Sequence, residues 1–460
     1  MSFEQLMCLV RAKFRALGNT GFVRSVAILI GGTAFAQAIG VLVLPFITRL
    51  YTPADFNTLA VFSSILSIIS VAACLRLEIA IPLPEADEDA ANLLALALCA
   101  SSIVAAFVAL SVYIFPTQIS ELLTSPALQP YLWLVPVGIW VASAYAAVQF
   151  WATRKKRFAE IAKTRMTQAL GGAAVQVGLG WAGVAPLGLL LGQIFNSGAA
   201  LFGLSRSLLR QDKSSMRSVS WHGMVQALKN FQRFPKYSTF EALFNSAGIP
   251  LAVSVIAAMT VGPEAGYLLL ATRAMGAPVG LLAGAIAQVY LSRAPDELRA
   301  GRLPIFTLQI VTGLAKSGVG PLVFAGMVAP LVFPVVFGEV WLRAGEMVAW
   351  MTPWFVMQLL ASPISMTLHV TGNQGAALGL QLFGLVLRVG SVLLSKLWFP
   401  SYLVETYLVS GFFFYLVYFF LVIRLADVRA KDLSKALTAA TPLILIWSML
   451  GLVVLTVFKN

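Results

Sequence analysis

The sequence predicts an all-α polytopic membrane protein: two parallel, pseudo-symmetric six-helix lobes around a central cavity, with an extra C-terminal helix. Three observations lead there. Of 460 residues, 59% are hydrophobic and only 11% charged, whereas soluble domains carry about 25% charged residues. Apolar runs of the ~20 residues needed to cross a bilayer recur along the whole chain. Features of the first half then return, in order, in the second.

Residues 1–24 read as a cytoplasmic interfacial tail. Phe3, Leu6, Met7, Val10, Phe14 and Leu17 recur at helical spacing, with Arg11, Lys13 and Arg15 available to anionic lipid heads. The first apolar run is too long for a signal peptide, so it is expected to be retained. Six runs, near 25–47, 57–81, 90–115, 131–152, 164–184 and 186–208, make an N-terminal lobe over 25–208. A cytoplasmic amphipathic linker follows at 209–236, with Trp221, Met224, Val225, Leu228 and Phe231 on its apolar side. Six more runs, near 237–260, 265–290, 305–337, 347–370, 376–398 and 402–424, make the C-terminal lobe over 237–424. Residues 425–460 hold a basic loop and a thirteenth run at 437–457.

Charge sets the expected orientation. Most of the 32 Lys and Arg residues fall in segments on the side of the N-terminus, which the positive-inside rule makes cytoplasmic. The same bias accounts for most of the +13 net charge, so a nucleic-acid partner is not called for. One inner connection departs from it: Glu85, Asp87, Glu88 and Asp89 form an acidic stretch, read as a solvated loop. Cys8, Cys74 and Cys99 have no metal spacing and read as free thiols.

The repeat rests on colinear matches. Thr33, Gln37 and Gly40 sit at i, i+4, i+7 in the first run, and Glu241, Asn245 and Gly248 at the same spacing in the seventh. Pro53-Ala54-Asp55 is answered by Pro263-Glu264-Ala265, and the stretch from Tyr131 to Pro136 by that from Val348 to Pro353. A shift of six spans keeps both copies in one orientation, with cargo expected between them.

Charged residues inside apolar runs mark the candidate site. A basic side chain at the bilayer midplane costs about 2.5–3.5 kcal/mol, so Arg273, Lys316 and Arg388, with Arg76 nearer a helix end, are expected to meet water, a carboxylate or an anion. Glu241 and Glu78 are the acidic candidates for a coupling proton or sodium ion, with Glu241 alternatively a partner for Arg273; Gln37, Asn245 and Gln381 are polar cavity candidates. Arg388 shares a face with Gln381, Gly384, Ser391 and Ser395, and Lys316 with Gln309, Thr312, Gly313 and Gly320. Uncharged stripes of this kind also serve as packing seams between membrane helices. Pro321, Pro330 and Pro334 require the 33-residue run at 305–337 to kink or tilt. The sequence has no phosphate loop, no nucleophile elbow and no H-E-x-x-H, which argues against an ATPase or a hydrolase. No enzyme, cofactor or metal is expected.

The run Gly31-Gly-Thr-Ala-Phe-Ala-Gln37-Ala-Ile-Gly40, then Leu44-Pro45-Phe-Ile-Thr-Arg49-Leu-Tyr-Thr-Pro53-Ala-Asp55-Phe56, resembles the first helix and outer turn of polysaccharide-biosynthesis flippases of the Wzx type. These are relatives of the lipid II flippase and of multidrug and toxin extruders. Leu75-Arg76-Leu77-Glu78, the basic stretch Arg154–Phe158 and the stretch Phe337–Gly345 are similarly placed. The resemblance covers roughly Ala27 to Leu425. Asn57 departs from the family's usual glycine, and the thirteenth run exceeds its usual twelve helices.

The resemblance implies a bacterial inner-membrane flippase. Its cargo would be an undecaprenyl-diphosphate-linked oligosaccharide, an O-antigen or related repeat unit, moved to the periplasmic leaflet by ion-coupled alternating access. Membrane lipids and a polysaccharide polymerase are the further partners it implies. Its support for basic cavity residues is carried to Arg76, Arg273, Lys316 and Arg388, and more weakly to Arg49. The alternative is a cation-coupled small-molecule or multidrug antiporter of the same superfamily. Cationic drugs favour a carboxylate-dominated cavity, and basic residues outnumber acidic ones in these spans.

Overall fold

The computed structural model describes residues 21–459 apart from 124, 233, 261 and 372; the side chains of some helical residues, Glu241 and Asn245 among them, also lie outside the description. The interfacial helix expected over the first 20 residues lies outside it too. The described residues are helical with short connections and contain no strand. All thirteen expected runs fall on helix, and eleven helices are long and apolar enough to cross a membrane among the described residues.

Contacts divide the chain into two compact units, one over Gly21–Gly266 and one from Tyr267 onward. The first holds α1 (Gly21–Leu42), α2 (Pro53–Ala73), α3 (Asp87–Ile114), α4 (Leu134–Arg154), α5 (Phe158–Trp181), α6 (Leu187–Gly198), α7 (Leu201–Gln211), α8 (Trp221–Asn230) and α9 (Thr239–Met259). Here α5 packs along α1 and α6, α2 along α9, and α3 along α4 and α8.

Local chemistry explains the start of α2. The Thr52 hydroxyl accepts from the Asp55 N–H (3.3 Å), the Asp55 carboxylate accepts from the Thr52 N–H (2.8 Å), and Pro53 fills the first helical position. This capping box leaves few amides unpaired at a membrane-facing helix end.

The expected run to residue 81 is not one helix. α2 stops at Ala73 because Leu75 and Arg76 take left-handed conformations (φ 53° and 57°), and a 3₁₀ turn over Leu77–Ala80 follows. Two successive non-glycine residues in that region are costly. The turn is held because Cys74, Leu77, Ala80 and Ile81 are all buried in one apolar cluster with Leu93, Trp151 and Leu204.

The second unit holds α10 (Glu264–Arg299), α11 (Leu303–Leu314), α12 (Gly320–Phe337), α13 (Leu342–Ala361), α14 (Gln374–Trp398), α15 (Leu403–Leu425) and α16 (Thr441–Lys459). α10 begins just before the boundary, at Glu264. The proline-rich run at 305–337 is interrupted by a π-helical turn over Ala315–Val319, immediately before Pro321. Proline has no N–H for the regular ladder and crowds the carbonyl four residues back, so the wider turn relieves both faults. α12 packs closely on α13, where a Cβ on Gly326 would fall onto the Thr352 hydroxyl. The thirteenth run, α16, packs on α12: Trp447 covers Gly320 and lies 5.5 Å from the Phe324 ring, and Gly451 meets Met327.

Candidate functional site

Arg388 lies midway along α14 and is only 4% exposed. Its guanidinium sits 4.1 Å from the centroid of the Phe414 ring and 5.9 Å from those of Trp354 and Tyr415. These rings project from α15 and α13, so Arg388 is enclosed by aromatic faces of its own unit. Its Nε has no hydrogen-bond partner, and no carboxylate pairs with it among the described residues. Sequence reasoning sent this side chain to water, a carboxylate or an anion. The packing adds a fourth solution, in which ring quadrupoles stabilise the cation by about 0.5–2 kcal/mol.

Lys316 sits in the π-turn between α11 and α12 and is half-buried. It has no hydrogen bond or ion pair among the described residues. The neighbouring Ser317 hydroxyl turns back to the Gly313 carbonyl (2.7 Å), which helps satisfy the widened backbone. Arg273 is half-buried on α10. Gln381 is half-buried on α14, two turns before Arg388.

Arg76 and Glu78 pair with each other in the turn after α2, at 3.5 Å. Glu78 is buried; its second oxygen and the Arg76 Nε both lack partners. Burial pushes the Glu78 carboxyl above the usual carboxylate range, against opposing effects from a backbone hydrogen bond and from Arg76. Gln37 is half-buried on α1, and its carbonyl oxygen is enclosed without a partner. Glu241 and Asn245 belong to α9, but their side chains lie outside the described residues.

Two features escaped the sequence reading. First, the acidic connection is not merely solvated. Asp87 accepts from Arg154 Nε (3.0 Å) and from the Lys155 ammonium, while Arg154 also donates to the backbone carbonyls of Pro82, Pro84 and Glu85. Buried Asp212 closes the network, accepting from Arg157 (2.8 Å) and from the Trp151 indole (2.9 Å). The basic stretch Arg154–Arg157 is therefore fastened to two aspartates 125 positions apart in sequence. Second, Arg165, at the edge of the run read at 164–184, lies inside α5 and donates to the Thr33 hydroxyl on α1 (2.7 Å).

Each unit also carries an open apolar groove. One of about 620 Å³ is lined by α4, α5 and α6 residues such as Val141, Val175 and Ile194; the other, about 430 Å³, is lined by α12, α13 and α15 residues such as Val323, Pro353 and Phe412. None of the sequence-predicted site residues lines either. Among the described residues, no group of three or more His, Cys, Asp or Glu could hold a metal ion.

The profile of a family described as polysaccharide biosynthesis protein matches residues 46–346. The chain shares its fold with the lipid II flippase MurJ in an inward closed conformation: TM-score 0.74 and 12% identity, over 94% of this chain and 98% of that one. It is also similar to an outward-facing multidrug resistance MATE family transporter of the MOP superfamily, with TM-score 0.52 and 12% identity over 88% and 96% of the two chains. A Vibrio cholerae MATE transporter gives TM-score 0.53 and 13% identity over 88% and 95%. No curated protein sequence matches the chain.

Proposed function

The chain belongs to the family of polysaccharide biosynthesis proteins, and from that premise we propose that it is a bacterial inner-membrane flippase for an undecaprenyl-diphosphate-linked oligosaccharide. The proposed movement, from the cytoplasmic to the periplasmic leaflet, is by alternating access with the N-terminus cytoplasmic. The observation that carries this reading is that Arg388 and Lys316, two cations set within long apolar helices, have no carboxylate partner among the described residues. A diphosphate is the anion such groups suit, because charge-assisted hydrogen bonds strengthen in a low dielectric. Arg273 joins them as a half-buried cation on α10. Docking of the diphosphate would draw Arg388 off its rings, exchanging cation–π contacts for stronger charge-assisted ones.

The fold shared with MurJ supports a flippase reading, and the excess of basic over acidic residues within the spans separates it from a drug-cation antiporter. Glu78, buried and half-paired, is the proposed site of a coupling proton; a sodium ion is the alternative, since the carboxylate could serve either. The test is leaflet translocation of a short undecaprenyl-diphosphate oligosaccharide in reconstituted vesicles. Wild type should move it, and folded Arg388→Ala and Lys316→Ala should not. Failure of wild type under both proton and sodium gradients would remove the flippase reading in favour of a small-molecule antiporter.

A further inference from the structure

We infer that the first unit contains a phosphate-binding site of its own, centred on Arg165. The inference rests on the flippase reading for its cargo, but its geometry is independent of Arg388 and Lys316.

Arg165 is seven residues into α5, about 10 Å from the start of that helix. Its guanidinium crosses to the neighbouring helix α1. Gly32 of α1 lies against Ala162, and the Arg165 Nη1 donates to Thr33, the very next residue, so the group is tethered where α1 and α5 approach most closely in this stretch. The tether joins two helices, α5 and α1.

The partner is a neutral hydroxyl, which answers one of five guanidinium donors and none of the charge. No carboxylate pairs with Arg165 among the described residues. The acid closest along α5, Glu160, accepts a hydrogen bond from Ser207 on α7 (2.8 Å) instead. Neutral polar groups adjoin this helix pair. The Thr164 hydroxyl donates to the Ile161 carbonyl (2.8 Å), leaving it to accept from Tyr145 (2.9 Å), and Gln37 lies one turn beyond Thr33 on α1 with its carbonyl oxygen buried and unpartnered.

A cation tethered to a neutral hydroxyl, with no carboxylate on it among the described residues, is suited to an oxyanion. The planar fork matches two phosphate oxygens. Both a lipid-linked diphosphate and an ordinary phospholipid head present that chemistry. The contrast with Arg154, Lys155 and Arg157 is direct: those three spend their charge on Asp87 and Asp212, whereas Arg165 keeps its own.

The experiment is equilibrium binding to the full-length protein in detergent, read by native mass spectrometry. The probes are undecaprenyl diphosphate, uncharged undecaprenol and phosphatidylglycerol, applied to wild type, Arg165→Gln, Arg165→Lys, Thr33→Val and Arg388→Gln. Arg165→Gln should weaken undecaprenyl diphosphate about tenfold or more and leave undecaprenol unchanged. Arg165→Lys should fall between, and Thr33→Val should lose part of the preference by freeing the fork. An equal drop for phosphatidylglycerol supports the site and makes membrane lipid its source.

Unchanged diphosphate binding in Arg165→Gln, with a loss in Arg388→Gln, overturns the Arg165 site and leaves the cargo reading standing. Equal loss of diphosphate and undecaprenol marks Arg165 as structural and overturns it too. Should Arg165→Gln fail to fold, an unaltered preference in both Arg165→Lys and Thr33→Val overturns it. A wild type that does not prefer the diphosphate to undecaprenol removes both proposals together.

Discussion

Two regions, one in each unit, handle buried positive charge in opposite ways. At one end of the first, Arg154, Lys155 and Arg157 are tied to Asp87 and Asp212, with backbone carbonyls and the Trp151 indole completing the network. In the middle of the second, Arg388 rests on three rings and Lys316 has no hydrogen-bond or ion-pair partner among the described residues. A carboxylate matched to a cation fixes structure and leaves nothing to bind with. Rings hold a cation in place without neutralising it, so its charge stays available to an incoming anion. The difference separates charges that build the fold from charges kept for cargo.

The largest expected effect breaks the first half of that comparison. Asp212→Ala removes the acceptor from Arg157 and from the Trp151 indole in a site 7% exposed. It should lower stability by about 3 kcal/mol, because the stranded cation and N–H have no replacement partner. Thermal unfolding in detergent measures this; an unchanged midpoint would mean that water takes over the aspartate's role.

The next prediction sharpens the second half. Arg388→Met replaces a caged cation by an apolar chain of similar length, so stability should change by only about 1 kcal/mol or rise, while translocation is lost. Phe414→Leu should destabilise by about 1–2 kcal/mol through the lost ring contact and packing. If Arg388→Met unfolded the protein as severely as Asp212→Ala, both arginine environments would be structural.

The smallest effect concerns Glu78 in the first unit, where the pairing with Arg76 is incomplete. Its folded-state pKa is raised, so the protonated form is favoured in the fold. The resulting stability is fully present below the ordinary carboxylate range and is lost as pH rises through the raised value. Glu78→Gln should flatten that part of the stability–pH profile, and the same variant should abolish proton-dependent transport. A profile identical to wild type would exclude Glu78 as the titrating group.

Much of the fold was legible because it follows from composition and local chemistry. Apolar runs set the helices, and Thr52-Pro53-Ala54-Asp55 carries a helix start in its own sequence. The end of α2 was not legible: nothing in Cys74-Leu75-Arg76-Leu77 signals a left-handed turn, which tertiary burial of Leu77 and Ile81 imposes. The site was legible as a set of charges but not as environments. The ring cage needs Trp354 and Phe414, respectively 34 and 26 positions from Arg388, and the Asp87–Arg154 pair spans 67 positions. Arg165 was overlooked because hydropathy placed the helix start near 164, whereas α5 begins at Phe158. The signal was present in Gln168, Gly172 and Gln176, a polar stripe that runs back along the helix toward Arg165.

The π-turn at Ala315–Val319 holds one residue more than an α-helix would use there, and Pro321 makes that surplus a fixture. The number of residues in the segment thus matters independently of their identity. Deleting one of them would leave an ordinary α-helical turn in which Pro321 again crowds the carbonyl four residues back. Adding one just after Val319 would instead turn everything beyond by about 100°, carrying Gly326 away from Thr352 and Gly320 away from Trp447 with every side chain still chemically intact. Sequence length at this point is itself a structural parameter, invisible to any scan that only substitutes.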